Sequence, residues 1–144
     1  MAAYSGRDPA TVPALVKLAE TLAAPVIEGR VRMNFPSDHP LHLGYAVAPY
    51  LKKADAILIV DFDVPYIPAA DKPVPGTRVI HIDTDPIKEG IPMWSFPGDL
   101  FIRADSATAI PALTAELRRI QIAQGHVGRR HQVAAAIEPD AQVA

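Results

Sequence analysis

Three short polar segments follow apolar stretches of the chain, and their side chains could contact a ligand or hold a metal ion. The segments read YSGR at residues 4–7, DFD at residues 61–63 and DTD at residues 83–85. In a parallel α/β sheet, ligands bind beyond the carboxyl ends of the strands. If strands precede these segments, their side chains are the candidates for ligand contact.

Ser5, Gly6 and Arg7 could form a phosphate site. The glycine would let the backbone approach a phosphate at the start of the following helix, and Arg7 would supply positive charge. The same residues are also typical of a turn and a helix cap, and a single glycine does not make a dinucleotide fingerprint. The turn is the favoured interpretation, and phosphate binding is the alternative.

Asp83 is the candidate for ribose contact, because an acidic residue near a strand end accepts a hydrogen bond from a ribose hydroxyl in this architecture. Asp85 precedes Pro86 and is typical of an Asx-turn or a helix cap. With Asp61 and Asp63, these carboxylates could instead hold magnesium, but that ion normally needs substrate phosphates or waters to complete its octahedron. The favoured interpretation therefore has no metal site.

No catalytic residue is predicted within the chain. The serines lack a GxSxG context and there is no cysteine, so no nucleophile has a plausible set of partners. His39 and His42 are three residues apart, but Pro40 lies between them and no HExxH pattern supports zinc. We expect these two histidines to have structural roles.

Size and charge limit the classes of function. The 144 residues, 49% hydrophobic and 21% charged, suffice for one hydrophobic core and do not promise two. The net charge is -2, and neither sign gathers into a block that would follow a phosphate backbone, so we expect no nucleic-acid partner. There is no signal-peptide pattern and no apolar run of roughly 18 residues, so we expect no membrane contact and a cytoplasmic location.

Helical and extended patterns alternate along the chain. Helical spacing predicts helices over residues 9–23, 47–55 and 106–125, and short apolar runs predict strands over residues 25–29, 56–60, 78–83 and 100–105. The continuously apolar runs favour strands buried on both faces of a mostly parallel sheet, and thus an α/β fold. Residues 125–144 lose this periodicity and are predicted to be a linker or tail, which leaves residues 1–124 as the domain.

Five segments, in chain order, resemble the central domain of thiamine-diphosphate-dependent enzymes, and acetolactate synthase-like proteins above all. They are SGRDPATVPALVKLAETLAAPV, NFPSDHPLHLGY, ADAILIV, VIHIDTDP and SATAIPAL, and they fall within residues 4–120. The resemblance implies a three-layer, doubly wound, mostly parallel α/β fold of the Rossmann-like, DHS-type nucleotide-binding kind. In the family an apolar strand precedes the SGR turn. Here residues 1–4 stand in its place, so we expect a truncated first strand or a neighbouring chain that fills the gap.

The resemblance also implies a larger enzyme. Members of this family have three α/β domains, and thiamine diphosphate with its magnesium lies between the first and third domains of partner subunits. Neither the glutamate-bearing pyrimidine-binding segment nor the GDG-to-Asn motif of those domains is found in this sequence. We therefore expect a non-catalytic central domain whose partners are the other two domains in a homo-oligomer. The parent enzyme, a transferase, would decarboxylate or join 2-keto acids.

A nucleotide cofactor is the alternative that the resemblance raises. In acetolactate synthases proper, the central domain is similar to a dinucleotide-binding fold and holds FAD. Where that family has a GxRxDDR-like segment, this sequence reads VDFDVPYIP, without the glycine and the arginine. The alternative function is a free-standing FAD- or ADP-binding regulatory module. Its predicted contacts are Ser5, Gly6, Arg7, Asp83 and Asp85.

Overall fold

The computed structural model describes residues 1–92, 94 and 96–123. In this part of the chain, a one-turn 3-10 helix at Ser5–Arg7 precedes three α-helices and three β-strands. These elements are α1 (Thr11–Leu22), α2 (Ala48–Leu51), β1 (Ala56–Val60), β2 (Arg78–Asp83), β3 (Leu100–Arg103) and α3 (Ser106–Ala123). The predicted linker or tail over residues 125–144 lies outside the described residues.

The three strands form one parallel sheet in the order β1, β2, β3. Ala56 pairs with Arg78, and Ile80 pairs with Leu100, so all three strands run in register toward the same edge. The predicted α/β class with a parallel sheet is therefore confirmed. The bounds of β1 and β2 equal the predicted ranges 56–60 and 78–83.

The expected truncated first strand is present as a single bridging residue. Ala2 forms parallel bridges with Val60 on one side and with Glu28 on the other. Its amide donates to the carbonyl of Ile27 at 3.0 Å, and its carbonyl accepts from the amide of Gly29 at 2.7 Å. The segment over residues 1–4 thus occupies the position next to β1, and no neighbouring chain is needed to fill it.

Both faces of the sheet are covered by apolar side chains. Val60 of β1 packs with Leu18 and Ile110, which come from α1 and α3. Ile57 and Ile59 point to the opposite face, where they pack with side chains from α2 and the following loops. Burying side chains of this size contributes roughly 1.5–3 kcal/mol each. The apolar character of β1 on both faces therefore produces the three-layer arrangement.

Some elements are shorter than the predicted ranges. α1 begins at Thr11 instead of residue 9, because the carboxylate and the carbonyl of Asp8 accept the amides of Ala10 and Thr11 in a preceding turn. α2 has one turn instead of two, and residues 25–29 form isolated bridges instead of a regular strand. Of the helices described, none has both the length and the apolar character needed to cross a membrane.

Candidate functional site

The structure brings the three polar segments of the sequence together at the carboxyl edge of the sheet. The parallel register places the ends of β1 and β2 side by side, and the segment after Ala2 lies next to β1. Between them is a cleft of ≈ 450 Å³. Its lining is mostly charged, and it consists of Tyr4, Arg7, Asp61, Asp63, Asp83, Thr84, Asp85, Lys88, Gly90 and Ile91.

The SGR turn packs against a neighbouring loop. A Cβ atom on Gly6 would lie 1.9 Å from the carbonyl oxygen of Met33, so the close approach of the two backbones requires glycine. The Ser5 hydroxyl and the Gly6 amide both donate to Asn34 Oδ1, at 3.1 and 3.0 Å. Of the three predicted phosphate contacts, the side chain of Arg7 lines the cleft, whereas Ser5 and Gly6 are engaged by the protein itself.

Asp83 has both carboxylate oxygens engaged. Its Oδ1 accepts the amide of Asp85 at 2.9 Å, and its Oδ2 accepts the ammonium of Lys88 at 2.6 Å. The same ammonium lies 2.9 Å from Asp63 Oδ1, so it bridges two carboxylates. Burial would lower the pKa of Lys88, but the hydrogen bonds to Asp83 and Asp63 outweigh it and raise that pKa. A ribose hydroxyl would have to compete with this ammonium for Asp83.

Asp61 has a carboxylate that is only partly satisfied. The side chain is 2% exposed, and its Oδ2 accepts the hydroxyl of Ser106. Its Oδ1 has no hydrogen-bond partner among the described residues, and Arg7 Nη2 lies 3.9 Å away, beyond hydrogen-bond distance. Burial raises the pKa of Asp61 despite the opposing effects of Ser106 and Arg7. The site therefore contains a buried acceptor that lacks a donor.

Two further aspartates accept backbone amides that follow them in the chain. Asp85 Oδ2 accepts the amide of Glu89 at 3.1 Å within a turn, and no helix begins there. Asp105 Oδ1 accepts the amide of Ala107 at 2.8 Å and so caps α3. Ser106, the next residue, does not cap this helix because its hydroxyl is donated to Asp61.

Sequence reasoning missed Lys88 and the network that holds the SGR turn. Glu28, 3% exposed, accepts the backbone amides of Asn34 and Phe35 and pairs with His42 Nε2 at 3.0 Å. His42 thus has the structural role expected for it. For Lys88 the usable signal was a lone basic residue in the short connection after DTD, close enough to fold back on the strand end. For Glu28 no local signal exists, because its partners lie in another loop.

The donor set of the cleft does not fit a diphosphate. Thiamine diphosphate, FAD and ADP each carry that anionic group, whereas four carboxylates and two cationic side chains line the cleft. The amide of Gly6 is already paired, and Asp83 already holds Lys88. Within residues 1–92, 94 and 96–123, no group of three or more His, Asp or Glu side chains is placed to hold a metal ion.

Comparison with solved structures finds a relative for this fold. A chain from Mycobacterium smegmatis, assigned as a thiamin diphosphate-dependent enzyme, matches with a TM-score of 0.62 and 27% sequence identity. This chain has the fold of a domain from such an enzyme. The match covers 79% of this chain and 24% of the neighbour's chain, so the chain spans about a quarter of the neighbour's length. No protein-family model and no curated protein matches the sequence.

Proposed function

We propose that this chain is the non-catalytic central domain of an acetolactate synthase-like, thiamine-diphosphate-dependent enzyme. The observation that carries this proposal is the unequal coverage of the match, 79% of this chain against 24% of the neighbour's. One domain of a multidomain enzyme gives a match of that kind. The parent reaction would be the decarboxylation or carboligation of a 2-keto acid.

The chemistry of the cleft supports a non-catalytic role. Asp63 and Asp83 share the ammonium of Lys88, so neither carboxylate is free to act as a base. The hydroxyl of Ser106 is buried and donates to Asp61, so it is not presented to a substrate as a nucleophile. Thiamine diphosphate supplies electron-sink chemistry when it is bound. In the proposed parent it is held with magnesium by the other two domains.

The proposed role is to connect those two domains and to organise subunit packing in a homo-oligomer. The three-layer fold suits this role, because its sheet is covered on both faces and can stand as a rigid unit between neighbours. On this proposal, the partners of this domain are the other two protein domains of the enzyme, and no catalytic step takes place in its cleft.

A domain exchange tests the proposal. The matching 24% of the Mycobacterium smegmatis enzyme would be replaced by this chain, and a parallel variant would carry a Gly/Ser linker of equal length. We expect the exchanged enzyme to assemble and to bind thiamine diphosphate, and the linker variant to fail in both. If the exchanged enzyme behaves like the linker variant although this chain folds by itself, the proposal is wrong.

Titration of the isolated chain tests the alternative of a nucleotide-binding module. On the proposed function, neither FAD nor ADP binds, because a diphosphate would enter a cleft with an excess of carboxylates. Saturable binding of either nucleotide at micromolar concentration, lost in Arg7→Gln, would favour the module.

A further inference from the structure

The cleft at the carboxyl edge carries an excess of negative charge. Of the residues that the structure describes, four carboxylates and two cationic side chains line it, which gives a formal charge of -2 when all six are ionised. A cleft lined by one sign of charge raises the local concentration of ions of the opposite sign. The cleft therefore favours a cationic ligand over an anionic one.

Lys88 shows how this cleft holds an ammonium group. Its Nζ lies 2.6 Å from Asp83 Oδ2 and 2.9 Å from Asp63 Oδ1. Both distances are at or near the range of charge-assisted hydrogen bonds. The side chain of Lys88 is 10% exposed, so the two carboxylates replace most of the water around the ammonium.

Asp61 offers a second acceptor, which no donor in the described part of the chain fills. Its Oδ1 is buried without a hydrogen bond, an arrangement that is rare in proteins because it is costly. The Arg7 side chain lies over this oxygen at 3.9 Å, but it is 44% exposed and does not donate to it. Arg7 can therefore be displaced into water without the loss of a hydrogen bond to Asp61.

We propose that the cleft binds a small organic cation whose primary ammonium group donates to Asp61 Oδ1 after displacing the side chain of Arg7. The carbon chain of such a ligand would lie along Ile91, which is 39% exposed and lines the same cleft. The ≈ 450 Å³ of the cleft is within the size range of small-molecule sites. This inference does not rest on the assignment of the chain as a central domain.

The test uses n-butylammonium chloride as the probe and the full chain as the protein. Matched titrations with n-butanol and potassium chloride control for the alkyl chain and for ionic strength. Each titration is followed by the backbone amide chemical shifts of the protein. n-Butylammonium should change the shifts of Asp61 and Ile91 in a saturable way, and the two controls should not. Equal responses to n-butylammonium and potassium chloride would overturn the proposal.

Three variants identify the group that binds. Asp61→Asn should weaken n-butylammonium binding ~10-fold, because a charge-assisted hydrogen bond is lost. Asp38→Asn, an exposed acid outside the cleft, should leave the affinity unchanged. Arg7→Gln should strengthen binding, because it removes the cation that covers Asp61. Unchanged or weaker binding in Arg7→Gln would overturn the proposal, and this variant decides the matter if Asp61→Asn does not fold.

Discussion

Replacing Lys88 with methionine removes the bridging ammonium and keeps most of the side-chain volume. Lys88 and Asp83 are each 10% exposed, and removing one partner of a buried ion pair costs about 3–5 kcal/mol. Asp63 is 38% exposed, so water can solvate its carboxylate once the ammonium is removed. The loss of the Lys88–Asp63 contact therefore adds little to the cost in stability. Asp83 also keeps the amide of Asp85. We therefore expect the free energy of unfolding to fall by about 3 kcal/mol, the lower end of that range.

Urea denaturation of Lys88→Met and the unchanged chain measures this loss. The midpoint should fall while the m-value stays constant, and the melting temperature should drop by roughly 10 °C for a domain of this length. Lys53→Met is the matched control, because that lysine is exposed after α2, and it should change stability by less than about 0.5 kcal/mol. In an Asp83→Asn background, Lys88→Met should cost at least ~1 kcal/mol less, since the two residues are coupled.

The pH dependence of the same variant provides a second check. The pKa of Lys88 is raised above its ordinary value of 10.5, so its contribution is complete at neutral pH and is lost as the pH rises through the folded-state pKa. The stability difference between the two chains should therefore shrink above that pH. A loss below about 1 kcal/mol at pH 7, with an unchanged m-value, would refute the reasoning, because it is the size expected of a solvent-screened pair.

Three further predictions concern other parts of the chain. Gly6→Ala should destabilise the fold by about 3 kcal/mol in urea denaturation, since its Cβ would strike the Met33 carbonyl, whereas Gly90→Ala, with open space around it, should be neutral. Burial lowers the pKa of the Met1 amine to about 5, so stability should fall by up to about 4 kcal/mol as the pH drops from 8 to 5, and an NMR-titrated amine pKa near 8 would contradict this. Glu28→Gln should cost about 2 kcal/mol and speed hydrogen exchange at the two backbone amides it accepts, and unchanged exchange would count against that role.

The elements that the sequence predicted best are those whose own side chains require burial, whichever neighbours provide it. The apolar run of β1 is buried on both faces, and alternate side chains such as Ile59 and Val60 enter different clusters, so any placement of this strand needs cover on both sides. The run at residues 25–29 was harder to predict, because a segment becomes a regular strand only if a neighbouring strand pairs with it along its length. Ala2 pairs with this segment at Glu28 alone, and a single bridge does not make a regular strand.

The position of the site could be predicted from the strand pattern, but its hydrogen-bond partners could not. Parallel strands must end at one edge, so the approach of Asp61 and Asp83 follows from the strand pattern. The identity of their partners does not, because it depends on contacts across the fold. Asp61 is 45 residues from Ser106, which bonds to it, and no local pattern distinguishes Ser106 from Asp105 as the helix cap.

The bridge at Ala2 has a consequence for how the chain opens. Terminal residues usually fray first, at little cost to the rest of a domain. Here the terminal segment lies inside the sheet, where Ala2 is bonded to Ile27 and Gly29 on one side and the Met1 carbonyl accepts the amide of Val60 on the other. Detaching these few residues would separate β1 from the strand-like segment beyond them. Opening of this segment is therefore the same event as splitting the sheet, and its amide hydrogens should exchange together with those of β1.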